Sequence, residues 1–177
     1  MREYEFTLKF QLPNPTTDTG MFVDALYESG CDDAIIGTGI KGFIALDFIR
    51  EAPSAYDAIS SAINDVRKAI PRAEIVEASP DFVGVTDVAN LLGCSRQNIQ
   101  KLLSNSISDR PPAVYGGAQS VWHLLEILTW LIEHKNYDID ESLVEIAKTT
   151  RSLNLVKQSE MLDSDTQRKF HDLISTR

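Results

Sequence analysis

The chain has 177 residues, 43% of them hydrophobic and 24% charged, with a formal net charge of −9. That is enough for one medium or two small domains of ordinary soluble, globular composition. No apolar run reaches the roughly 18–20 residues of a membrane span. The opening MREYEFTLKF also lacks a signal peptide's continuous apolar stretch, so a cytoplasmic location and no membrane contact are expected.

Residues 3–10 alternate, with Tyr4, Phe6, Leu8 and Phe10 on one face, which predicts a half-buried strand. Pro13, Asn14 and Pro15 form a turn. Residues 18–29 carry Phe22, Val23, Leu26 and Tyr27 at helical spacing, with Gly30 placed to end the helix. Residues 33–36 and 43–49 read as strands around the glycines of GTGIKG. Pro53 opens a second helix with Tyr56, Ile59, Ile63, Val66 and Ile70 on one face, and Pro71 stops it. AEIVEA (73–78) is a short last strand. The order β-α-β-β-α-β matches the split βαβ, or ferredoxin-like, pattern. Two helices on one face of such a sheet leave the other face open, for a dimer interface or a small ligand. This similarity is one of fold pattern and carries no site.

Ser79, Pro80 and Asp81 read as a linker. In VGVTDVANLLGCSRQNIQKLL, Thr86 is placed to cap a helix, with Asp87 in its first turn. Val88, Ala89 and Leu92 face inward, and Gly93 permits a tight turn. Ser95 caps a second helix that Ile99, Leu102 and Leu103 anchor. Arg96, Gln97, Gln100 and Lys101 remain outside near its start. Arginine suits guanine, glutamine suits adenine, and lysine suits phosphate.

On these residues the segment, about 82–131, resembles the winged helix-turn-helix of the MerR and excisionase (AlpA)-like families. PPAVYGGAQSVWHLLEILTWL continues the resemblance as a wing and a packing helix. Ala113, Val114 and Tyr115 would form one wing strand, Gly116 and Gly117 the tip, and Val121 and Trp122 the return strand or the start of the next helix. Leu124, Ile127, Leu128 and Leu131 would pack the helix back, with Trp130 beside them. Family wings often carry Arg or Lys, and this one has none between Ala113 and His123. Wing contact with phosphate would then fall to backbone amides, Tyr115 and Gln119. The DNA-binding residues implied are Ser95, Arg96, Gln97, Gln100, Lys101, Tyr115 and Gln119.

DIDESLVEIAKTTRSL and SEMLDSDTQRKFHDLI read as amphipathic helices. Leu143, Ile146 and Ala147 stripe the first; Met161, Leu162, Phe170, Leu173 and Ile174 stripe the second. The expected fold class is α+β: a ferredoxin-like βαββαβ module (1–79, dimerisation or sensing), a winged helix-turn-helix (82–137) and C-terminal helices (138–177, packing or oligomerisation).

Other residues read plainly. Cys31 and Cys94 lack metal-ligand or disulfide company, so both are structural. GTGIKG lacks P-loop order and precedes a strand, so it is a hairpin turn. Asp32 and Asp33 have no third ligand and read as turn or strand-edge acids, and His123, His134 and His171 as surface or packing residues. No catalytic arrangement, cofactor motif or metal set emerges.

Residues 1–80 carry 7 basic and 13 acidic side chains, net −6, against −1 for 81–137 and −2 for 138–177. A near-neutral DNA-binding segment neutralises few phosphates as a monomer. The expectation is a dimeric, sequence-specific transcriptional regulator of bacterial or phage type on double-stranded DNA, not an enzyme. The alternatives are an antitoxin-like or phage-defence-associated module whose acidic N-terminal part binds a protein partner, and a small-molecule-sensing regulator.

Overall fold

The computed structural model describes residues 1–106, 109–117 and 119–175, and its elements make a mixed α+β protein. The first sheet has strands β1 (Arg2–Gln11), β2 (Ala34–Gly37), β3 (Phe43–Ala52) and β4 (Glu74–Ser79) in the spatial order β2-β3-β1-β4. Every neighbouring pair is antiparallel. Helices α1 (Val23–Glu28) and α2 (Ala55–Ala69) make the crossovers. The alternation of β1 buries Tyr4, Phe6, Leu8 and Phe10 against Ile44, Leu46 and Phe48 of β3, while Glu3 and Glu5 face out. Phe6 and Phe48 are register partners, and their rings stack with centroids 5.2 Å apart.

Several local expectations change. The helix expected over 18–29 is a 3-10 turn (Thr19–Phe22) followed by the six residues of α1; Leu26 is buried there, while Val23 and Tyr27 are exposed. Six residues make under two turns, too little to bury a continuous stripe. Pro53 precedes α2, which Ser54 caps by accepting from Asp57 N at 3.1 Å. Tyr56 is 70% exposed, because small residues (Ala55, Ala58, Ala62) with Ile59 and Val66 form the buried face. Small side chains let α2 approach the sheet, and a tyrosine there would hold it off. The GTGIKG stretch is the hairpin connection: Gly42 has φ +75°, and a Cβ there would come within 2.6 Å of the Pro15 carbonyl oxygen.

The second unit begins with β5 (Phe82–Val83), which pairs with β7 (Ser120–His123); β7 also pairs with β6 (Tyr115–Gly116). Helices α3 (Val85–Leu91) and α4 (Arg96–Asn105) precede that hairpin, and α5 (Leu124–Lys135) follows it. The cap of α3 is Gly84, not Thr86, which lies inside the first turn. The Asp87 carboxylate accepts from Gly84 N at 2.7 Å, so the helix starts two residues earlier. Gly93 turns the chain with φ +62°. Val88, Ala89, Ile99, Leu103, Trp122, Leu124, Ile127, Leu128, Trp130 and Leu131 form this unit's core.

Helix α6 (Glu141–Ser159) does more than pack at the end of the chain. Ile146 enters the first core and its neighbour Ala147 the second. It lies against β1, β4, α2 and α5, so three helices, not two, cover the inner face of the first sheet. The Tyr4 hydroxyl donates to Glu145 at 2.6 Å, and Glu145 also accepts from Ala55 N at 3.2 Å. The Ser79–Asp81 linker, which contains a cis Ser79–Pro80 bond, is held down: Thr150 donates to Pro80 O at 2.7 Å, and Asn154 to Asp81 at 2.8 Å. The last helix, α7 (Ser164–Ser175), buries none of its residues, and Leu162, Phe170, Leu173 and Ile174 are exposed. Among the described residues no helix is long and apolar enough to cross a membrane.

Asp140 caps α6 by accepting from Ser142 N at 2.8 Å. That backbone hydrogen bond holds its carboxyl below the usual aspartate range. Asp140→Ala is expected to cost about 1 kcal/mol in urea denaturation at neutral pH. Because the folded state favours the ionised form, the contribution is complete above about pH 4 and fades as pH falls below it. The gap between wild type and variant should therefore narrow in acid. A gap that stays constant would show that the charged cap contributes nothing.

Candidate nucleic-acid interface

Helix α4 positions the residues that matter most. Ser95 has extended backbone geometry, and its hydroxyl accepts from Asn98 N at 3.2 Å, so the helix starts sharply at Arg96. Ile99 and Leu103 are buried, Leu102 half-buried. With 3.6 residues per turn, this leaves Arg96 and Gln100 on one exposed stripe and Gln97 and Lys101 on the next. Gln100 donates to Ser104 at 3.3 Å. Among the described residues, the side chains of Arg96, Gln97 and Lys101 have no hydrogen-bond or ion-pair partner.

The hairpin lies beside α4, and a cleft of about 400 Å³ separates them. Arg96, Gln100 and Gln119 line it, so three of the sequence-selected residues come together. Gln97 and Lys101 sit outside it on the exposed helix surface. Tyr115 is not part of it either. Its side chain is 65% exposed, and its ring lies so close over Gly117 that a Cβ there would collide with it. The paired part of the hairpin's first strand is Tyr115–Gly116, extended by Val114 N donating to Val121 O at 2.8 Å.

The cleft also contains Arg110, which sequence reasoning passed over. Arg110 is half-buried, and its Nη1 donates to Leu103 O at 3.1 Å, at the end of α4. The signal was available: it is the sole basic residue between Lys101 and Lys135, and the rigid Pro111–Pro112 pair follows it.

Four of the five acids of this unit are engaged elsewhere, and the fifth, Glu133, is exposed on α5. Asp81 is 2% exposed and pairs with His123 Nδ1 at 2.7 Å, so His123 supports the hairpin from behind. Asp109 pairs with Lys135 at 3.2 Å and Glu126 with Arg151 at 3.0 Å. Asp87, in the cleft wall, uses its Oδ2 on Gly84 N. In a segment of formal charge −1, Arg96, Lys101 and Arg110 thus have no carboxylate partners among the described residues, and Arg96 and Arg110 share the cleft. Guanidinium groups there can fork onto guanine or phosphate, and the glutamines can bond adenine.

A larger cleft, about 520 Å³, lies where β1 meets α6 and is walled by Arg2, Glu3, Glu5 and Asp140. Its one cation is already paired, Arg2 with Glu141 at 2.6 Å, so it does not suit a polyanion. Asp33, read from sequence as a turn or strand-edge acid, is an ion-pair partner of Arg50. Among the described residues no His/Cys/Asp/Glu cluster is arranged to hold a metal. Set beside known proteins, the chain matches no family model, no curated protein and no solved structure.

Proposed function

We propose that the chain is a sequence-specific, double-stranded DNA-binding regulator of bacterial or phage type, in which α3, the Gly93 turn, α4 and the hairpin act as a winged helix-turn-helix. The strand order β2-β3-β1-β4 supports a ferredoxin-like reading of the first unit. The observation that carries the proposal is the face of α4: Arg96, Gln97, Gln100 and Lys101 all exposed, with neither cation held by a carboxylate among the described residues. A helix placed in a major groove by its N-terminal half presents such groups to base edges and backbone phosphates. The exposed apolar stripe of α7 and the open face of the first sheet each offer a second copy a surface. A dimer would read a palindrome with half-sites about one helical turn apart, or a multiple of that.

Selection from random duplexes at moderate salt should enrich such a palindrome. On the enriched site, Arg96→Ala combined with Gln97→Ala is expected to weaken binding roughly 10- to 100-fold. An unchanged affinity and footprint would defeat the reading.

One observation favours a second reading. The outward face of the first sheet carries Glu3, Glu5, Asp47 and Glu51 around the exposed Ile35 and Ile49. That suits a basic protein partner. Its test is a stoichiometric complex from the native host that Glu5→Lys with Asp47→Lys dissolves, while Arg96→Ala leaves it intact.

A further inference from the structure

We propose that the cleft between α4 and the hairpin seats one backbone phosphate of duplex DNA, held between Arg96 and Arg110. The inference rests on the DNA-binding reading above and assigns that site its anchor. Two guanidinium groups share one cleft, and neither has a carboxylate partner among the described residues. Two like charges in one recess repel unless an anion lies between them. The one carboxylate in the wall, Asp87, keeps its charge but turns Oδ2 to Gly84 N at 2.7 Å and pairs with neither guanidinium.

Arg110 is built for the role. Its half-buried side chain is tethered by Nη1 to Leu103 O, so the same helix that carries Arg96 sets its position. Donors of its planar fork remain for a phosphate. Gln119 and Ser120 supply neutral hydrogen-bonding groups on the hairpin side, and Gln100 on the helix side. This arrangement explains how the hairpin does without a basic residue between Ala113 and His123. The cation that serves it, Arg110, comes from the preceding segment and lines the same cleft.

The test uses the full chain, a mixed-sequence duplex and the selected palindrome, with binding measured across a salt series. Arg110→Gln and Gln119→Glu are each expected to weaken both duplexes about tenfold and to lower the slope of log K against log salt by about 0.9. Gln119→Arg should steepen the slope, and Arg110→Lys should keep it. The loss should be the same for both duplexes, because a phosphate carries no sequence. Gln119 is exposed, so its variants keep the test valid even where Arg110→Gln fails to fold. If slopes stay unchanged in all of these while Arg96→Ala with Gln97→Ala still destroys binding, the seat is wrong and the DNA reading stands. If the wild-type chain binds neither duplex, both fall. If inorganic phosphate alone fills the cleft, with chemical-shift changes at Arg110 and Gln119, and duplex does not displace it, the site belongs to a free anion and the proposal is overturned.

Discussion

Arg50→Met is expected to lower the free energy of unfolding by about 3 kcal/mol, read as a shifted urea midpoint at constant m value. Arg50 is 7% exposed beneath the first sheet and satisfies four groups at once. It forks onto Asp33 at 2.6 and 2.9 Å, donates to Asp65 and Ser61 at 3.0 Å each, and donates to Gly30 O at 2.6 Å. Its guanidinium also lies 4.9 Å from the Phe48 ring centroid. Methionine fills much of the volume and supplies none of the donors. Two carboxylates then face a site with no cation between them, and that uncompensated charge is the large term, not the lost contact. Asp33 retains some exposure and Asp65 keeps Lys68 at 2.7 Å, which places the cost at the lower end for a buried pair. Adding Asp33→Asn and Asp65→Asn to Arg50→Met should recover part of the loss, because the charges left behind are removed. If Arg50→Met keeps the wild-type midpoint, Arg50 is not the centre of this end of the fold.

Asn154→Leu is expected to cost a similar amount, about 3 kcal/mol, and also to change the character of unfolding. Asn154 is buried on α6, where its carboxamide accepts from Ala78 N at 2.9 Å and donates at 2.8 Å to both Ala78 O and Asp81. Asp81 in turn holds His123 of the hairpin, and its carbonyl accepts from Leu124 N at 2.7 Å. Leucine leaves two backbone groups and one side of a buried carboxylate without partners, and each omission costs more than the hydrogen bond contributed. The same side chain helps join the two cores. Both tryptophans lie in the second core, so indole fluorescence follows that unit while far-ultraviolet circular dichroism follows the whole chain. Wild type should give coincident curves by both probes, and Asn154→Leu should separate them. Coincident, unshifted curves in the variant would show that α6 does not couple the units through this residue.

Local chemistry made a large part of the molecule legible in advance. Alternating Tyr4, Phe6, Leu8 and Phe10 could bury their side chains together only as a strand with that face inward. Ser95 followed by Arg96, Gln97, Gln100 and Lys101 sets a capped helix whose outer face is decided by a 3.6-residue period, so most of the candidate site was readable from spacing alone. The element order of the first 79 residues followed from the same signals. Helix starts were misplaced where a nearby residue offered a better cap: the Asp87 carboxylate moved the cap of α3 to Gly84, and Ser54 moved the start of α2 past Pro53.

Tertiary structure alone decided which distant polar groups meet. Arg50 with Asp33 and Asp65, Asp81 with His123 and Asn154, and Arg110 beside Arg96 join residues that no period relates. A polar side chain announces itself by periodicity only when it faces water. Once buried, its partner is chosen by the requirement that every desolvated donor and charge be matched, and that requirement is met only when the elements have packed. For the same reason the role of α6 lay beyond a sequence reading. Its stripe of Leu143, Ile146 and Ala147 predicted an amphipathic helix, while the division of Ile146 and Ala147 between two cores depends on where those cores stand.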